Sequence, residues 1–169
     1  MFAAGEPMIE RLGVVSDTHG QVAATREAVR MLESLAVQAV LHCGDIGSPA
    51  IVELFDAWPT HFVFGNVDHD VLELEQAIAA AGQTCHQRFG RLEIGDRRIA
   101  FLHGDDTRLL MQTTASGQWD LVCYGHTHKA EQHREGPTLL LNPGALHRAR
   151  PHSFAVVSFP EVQASVISL

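Results

Sequence analysis

A chain of 169 residues, 46% apolar and 19% charged, is long enough for one domain with its own core. Its 12 basic and 20 acidic residues leave a formal charge of −8. That argues against a protein that tracks nucleic-acid backbones, though not against a small anionic substrate met through bound cations. Cys43, Cys85 and Cys123 are odd in number and form no C-x-x-C pair, so no disulfide framework is expected and a reducing cytoplasm is the natural home. Met1 to Glu10 has no basic start and no long apolar stretch, and does not read as a signal peptide. No run of about 18 apolar residues exists, so no membrane span is expected.

In chain order, Ile9 to Ser16 is an apolar run that stops at Asp17 and reads as a buried strand. Gln21 to Leu35 has near-helical apolar spacing through Val22, Ala28, Val29, Leu32 and Leu35. Val37 to His42 is a second strand, stopped by Gly44. Pro49 opens a helix expected to run to Ala57, ahead of Trp58-Pro59. His61 to Phe64 is a third strand, and Val71 to Ala81 a helix closed by Gly82. Arg88 to Ile94 and Arg97 to Leu102 flank Gly95-Asp96 as a hairpin. A helix over Thr107 to Ser116 and a strand over Leu121 to Tyr124 follow. The tail reads as strands at Glu131 to Arg134, Thr138 to Leu141, Phe154 to Phe159 and Val162 to Ile167. An α/β first half and a strand-rich second half predict a single α/β domain over residues 1–169, with two sheets face to face and helices outside.

Five of these strands end in polar loops: Asp17-Thr18-His19, Gly44-Asp45, Gly65-Asn66-Val67-Asp68, His103-Gly104 and Gly125-His126-Thr127-His128. Ligands of open α/β sheets gather at the carboxyl ends of strands, so these loops are candidates for one site. Carboxylate, imidazole and amide oxygen suit hard-to-borderline divalent ions, and Asp45 has two oxygens with which to bridge a pair. Each motif alone occurs often by chance, but all five at strand ends in this order do not.

The ordered set D-x-H, G-D, G-N-x-D, H-G and G-H-T-H, with Leu141-Asn142-Pro143-Gly144 after it, resembles the calcineurin-like metallophosphoesterases, and more closely their small bacterial and archaeal phosphodiesterase branch. The resemblance runs from Asp17 to about Asn142. It implies a two-sheet β-sandwich flanked by helices and two divalent ions. One would be held by Asp17, His19, Asp45 and His128, the other by Asp45, Asn66, His103 and His126. A hydroxide bridging the ions would attack a small-molecule phosphoester, most often a diester. Manganese is the first expectation for the metal, with iron, zinc or nickel as alternatives. The other readings weighed are a non-enzymatic metal-binding assembly scaffold of the same fold and a hydrolase of dinucleoside polyphosphates or cyclic nucleotides. Oligomeric state stays open, a homo-oligomer included.

The sequence departs from the wider family in places. A histidine that follows the asparagine in many members is thought to protonate the leaving group; here that residue is Val67. His69, two residues on, is a weak substitute for it, the competing reading being a solvated loop histidine. Asp68 is expected to position a ligand or His69 rather than to bind metal. Asp105-Asp106 follows His103-Gly104 where relatives have a histidine, and Asp106 reads as a helix cap. Arg148 and Arg150 are candidate substrate contacts, although surface arginines usually are not. Cys43 and Cys123 read as core residues.

Overall fold

The computed structural model describes residues 8–169, so most of the segment read as lacking a signal peptide lies outside it. Its strands are β1 (Arg11–Val15), β2 (Ala39–His42), β3 (Thr60–Phe62), β4 (Thr84–Cys85), β5 (Phe89–Ile94), β6 (Arg97–Leu102), β7 (Leu121–Cys123), β8 (Glu131–Glu135), β9 (Thr138–Asn142), β10 (Ser153–Ser158) and β11 (Gln163–Ser168). Four helices, α1 (Val22–Ser34), α2 (Pro49–Glu53), α3 (Val71–Ala80) and α4 (Thr107–Ala115), lie between them. They build two sheets, one in the order β11-β10-β1-β2-β3-β4 and one in the order β5-β6-β7-β9-β8. Strands β1 to β4 are parallel to one another, as are β6, β7 and β9, while β10, β11, β5 and β8 run antiparallel to their neighbours.

Alternation along each strand makes the layers. Leu12, Val14, Leu41, Cys43, Ala155 and Val157 of the first sheet meet Ile99, Phe101, Leu121, Cys123, Leu139 and Leu141 of the second in a shared core. The opposite faces carry the other residues of the same strands. Val15, Val40, Phe62, Phe154 and Val156 pack with Ala28, Val29 and Leu32 of α1, Ile51 and Val52 of α2, and Leu74 and Ile78 of α3. Ala100, Leu102, Val122 and Leu140 pack with Leu109 and Leu110 of α4. This is the expected two-sheet sandwich with helices outside. At Gly13 the spacing is close enough that a Cβ would press into the Leu32 side chain, which sets how near α1 approaches β1.

Caps and breaks follow from local chemistry. Asp70 accepts from the Glu73 amide at 3.2 Å, and Asp106 from the Leu109 amide at 2.9 Å, so Asp106 is a cap as read. Each such cap is worth about 1 kcal/mol. The second helix stops at Glu53 rather than Ala57. The carbonyl of Phe55 has Pro59 where a helical donor would stand, and proline has no N–H. Thr60 Oγ1 and Gln83 Nε2 donate to the carbonyls of Phe55 and Trp58 instead, at 3.0–3.3 Å. Strand β4, two residues long, carries no periodicity of its own and was not expected; its pairing with β3 makes it a strand.

Candidate metal centre

The five polar loops follow β1, β2, β3, β6 and β7, which belong to the parallel parts of the two sheets, so their carboxyl ends meet at one end of the sandwich. All seven candidate ligands come together there. Asp17 is fully buried. Its Oδ2 accepts from Ser16 Oγ at 2.5 Å and from the His126 amide at 3.0 Å. Its Oδ1 has no hydrogen-bond donor and is the sole buried side-chain polar atom among the described residues in that condition. Around it stand His128 Nε2 at 3.1 Å, His19 Nε2 at 3.7 Å and His103 Nε2 at 3.9 Å. Asp45 Oδ2 lies 3.2 Å from His103 Nε2 and 3.4 Å from His19 Nε2, and its Oδ1 accepts from the Val67 amide at 3.1 Å. Asn66 Oδ1 is 3.1 Å from both His103 Nε2 and His126 Nδ1. Two three-residue sets close within 4.8 Å, namely Asp17, His19 and His128, and Asp17, Asp45 and His103.

A buried carboxylate oxygen without a donor is costly unless a cation meets it. Ligands bound at about 2.1 Å to one ion stand on the order of 3–3.5 Å apart, which is close to the separations seen here. The imidazole tautomer fits as well. His103 Nδ1 lies 2.8 Å from the Cys43 carbonyl and must donate to it, leaving Nε2 turned toward Asp45 and Asn66. The donor set therefore fits divalent cations.

Charge in the cluster is shared between an imidazole and a carboxylate. For His103, burial opposes protonation, but the hydrogen bond to Asp45 and the charges of Asp17 and Asp45 outweigh it and hold the ring above its usual range. For Asp45, burial opposes ionisation, and the His103 bond and charge with the Val67 amide overcome it and lower the carboxyl.

Backbone strain marks the same residues. Five of the nine described non-glycine residues with positive φ are Asp17, His19, Asp45, His126 and His128, at φ 45–70°. Such conformations cost of order 1 kcal/mol or more and persist where the surroundings impose them, most often at functional sites. At Gly65 a Cβ would overlap Asp45, which explains a glycine before Asn66.

The remaining candidates fall elsewhere. Asp68, 5% exposed, accepts from the Gly47 amide at 2.9 Å and the Gly65 amide at 2.8 Å, tying the loops that carry Asp45 and Asn66 together. Its carboxylate makes no hydrogen bond to a candidate ligand's side chain among the described residues. His69 is exposed, and its ring makes no hydrogen bond to the cluster among the described residues. Asp105 pairs with Arg88. Cys43 and Cys123 are core residues, and burial pushes both thiols up.

Sequence reasoning passed over His42, Thr18 and His147. His42 is fully buried, and its Nδ1 accepts from the Gly44 amide at 3.3 Å. Its Nε2 must then carry the proton and donate to Thr18 Oγ1 at 2.9 Å, while Thr18 donates to the Ile46 carbonyl at 3.0 Å. This chain joins the D-x-H turn to the G-D loop. Burial, with the charge of His103, lowers His42 to about 3. His147 lies with its ring 4.8 Å from that of His19 and 6.4 Å from that of His128. No motif announces it, because its approach is a tertiary contact.

The calcineurin-like phosphoesterase superfamily domain matches residues 11–162, and the chain belongs to that family. Within it, the chain is 28% identical over 137 residues to a phosphodiesterase of Methanocaldococcus jannaschii, covering 79% of this chain and 82% of that protein. It is 30% identical over 142 residues to a probable metallophosphoesterase of Methanothermobacter thermautotrophicus, covering 79% and 76%. A solved structure of an archaeal phosphodiesterase superposes with TM-score 0.87 at 25% identity, over 94% of this chain and 99% of that one. The protein is thus a phosphoesterase, a hydrolase of phosphoric esters, with side chains grouped to take divalent ions.

Proposed function

We propose that the chain is a single-domain phosphodiesterase that cleaves small-molecule diesters with good leaving groups at a pair of divalent ions. In this reading Asp17, His19, Asp45 and His128 hold one ion, and Asp45, Asn66, His103 and His126 the other. The observation that carries it is Asp17 Oδ1, buried and without a donor where both three-residue sets meet. Bound there, the ions supply an acidified water and neutralise charge on the phosphoryl oxygens.

The chain's own residues orient and restrict. Ser16 and the His126 amide fix Asp17, the Val67 amide fixes Asp45, and the Cys43 carbonyl fixes the His103 tautomer. The Val67 side chain has no proton to give, and His69 makes no bond toward the cluster, so a leaving alkoxide departs without an acid at that position. General-acid help is worth roughly 10²–10⁴-fold, so esters of poor leaving groups suffer most. The mixed Asp, Asn and His donors suit manganese, with iron, zinc or nickel as substitutes. The three free cysteines fit a reducing cytoplasm.

The test is metal analysis followed by manganese-supplemented turnover of phenyl phosphodiesters of graded leaving-group pKa, beside matching monoesters. Two ions per chain, diesters ahead of monoesters and a steep dependence on leaving group are expected. A metal-loaded chain that turns over no diester, or a flat leaving-group plot, overturns the reading.

A further inference from the structure

Beside the cluster, on the His128 side, the surface changes sign. One cavity of about 730 Å³ is lined by His147, Arg148, Ala149, Arg150, Pro151 and His152. A second, of about 260 Å³, shares Arg150 and Pro151 with it and reaches Lys129 and His128. Neither lining contains a carboxylate, in a chain whose formal charge is −8. The guanidinium groups of Arg148 and Arg150 and the ammonium of Lys129 make no ion pair or hydrogen bond among the described residues. Arg11, Arg88, Arg97 and Arg134 are engaged within the chain, whereas Arg26, Arg30, Arg91, Arg98 and Arg108 are as free as Arg148 and Arg150 among the described residues; what sets Arg148 and Arg150 apart is their place beside the cluster.

The segment carrying Arg148 and Arg150 is tied at both ends. Ala145 and Leu146 before it are fully buried. At its far end Ser153 Oγ donates to the Pro143 carbonyl at 2.8 Å, the Ser153 amide donates to the Ala145 carbonyl at 3.2 Å, and the His152 carbonyl accepts from the Leu169 amide at 2.9 Å. His147 seats it against His19. Arg148 itself is held at φ 48°, in the left-handed region shared with five of the candidate ligands. Arg148 and Arg150 are exposed on this tied backbone, and a guanidinium without an internal partner is free to bind a phosphate through paired N–H groups.

We propose that Lys129, Arg148 and Arg150 form a second anion subsite, which rests on the phosphodiesterase reading above. It takes a phosphoryl group carried elsewhere on the substrate. The substrate class is therefore a phosphodiester that bears a further phosphate, rather than a diester with a single negative charge. The overall acidity of the chain repels anions generally, and the cation-lined rim gives an approaching polyanion a local field of the opposite sign.

The probes are thymidine 5′-(4-nitrophenyl phosphate) and its 3′-phosphorylated form, which share scissile ester and leaving group. With manganese-loaded protein, kcat/KM is expected to favour the 3′-phosphorylated probe about tenfold or more, the scale of one charge-assisted hydrogen bond. Added salt reduces the preference. In the R148A/R150A double variant the ratio falls toward one, R148K/R150K keeps part of it, and R30A, on the exposed face of α1, keeps the wild-type ratio. A wild-type ratio near one, or a ratio retained in R148A/R150A, overturns the subsite. Calorimetric binding of thymidine 3′,5′-bisphosphate against thymidine 5′-phosphate gives a readout without turnover. If neither ester is cleaved but the bisphosphate binds about tenfold tighter in an Arg148- and Arg150-dependent way, the subsite stands and the phosphodiesterase reading fails.

Discussion

At the scale of single residues, His42 shows how the site depends on a group that meets no substrate. Its neutral ring accepts from Gly44 and donates to Thr18, and a second proton would remove the acceptor. The unfolded chain takes up a proton on this ring below pH 6.5, whereas the folded chain refuses it until about pH 3. Stability is therefore lost as pH falls through that window, by about 1.4 kcal/mol per unit for one fully buried group. His61, lowered to about 4 by burial and the charge of His86, acts in the same direction. Urea unfolding of the metal-free protein between about pH 6.5 and 5, below the range where the raised His103 acts in the opposite direction, is expected to show this slope, and H42N to lower it by about one proton. An unaltered slope in H42N would remove His42 from the account.

At the scale of elements, the site is a matter of loops held in register by strands. Asp68 illustrates this, because its two oxygens take one amide from the loop after β2 and one from the loop after β3. Asp68→Ala strands both amides and is expected to cost about 3 kcal/mol, since bonds to charged groups carry more than neutral ones. It also frees Asp45 and Asn66 from one another, so manganese affinity falls in titrations of the folded protein. Asp68→Asn keeps one acceptor and is expected to lie between the two. A variant that loses stability but binds metal as tightly as the wild type would reduce Asp68 to a structural role. The left-handed residues belong to the same scale: the chain tolerates strain at Asp17, His19, Asp45, His126 and His128 where neighbouring loops tie the turns, the Asp17 amide donating to the Gly44 carbonyl at 3.0 Å and the His19 amide to the Asp45 carbonyl at 2.9 Å.

At the scale of the whole molecule, both sheets share one core, and the candidate ligands are drawn from both. On the proposed reading, divalent ions bound there would hold the sheets together at their carboxyl ends and would stabilise the folded state by mass action. At about 100 times the dissociation constant the gain is about 2.7 kcal/mol, or roughly 5–10 °C for a chain of this size. Thermal melts with manganese and after chelation measure it. Asp17→Asn, which removes a fully buried charge from the cluster, is expected to abolish most of the increment. Equal melting temperatures with and without manganese in the wild type would contradict a metal pair bound between the sheets. No helix among the described residues is long and apolar enough to cross a membrane.

What the sequence by itself determined is local. Apolar runs that stop at polar residues place β1, β2, β3, β6 and β7 and the loops after them, and Asp70 and Asp106 start their helices through bonds three residues long. The spacing D-x-H and H-x-H, with glycine at Gly65 before Asn66, is likewise a property of short stretches of chain. The tertiary structure alone decided the rest, because it depends on which strands become neighbours. Only sheet order brings Asn66 Oδ1 to His103 and His126, turns Thr84–Cys85 into a strand, and gives the carbonyls of Phe55 and Trp58 beyond α2 the donors Gln83 and Thr60. It also sets His147 against His19, far apart in sequence, and with it a pair of arginines beside the candidate ligands. Short-range stereochemistry is written in neighbouring residues, whereas the partner of a side chain a hundred residues away is fixed only when the sheets close.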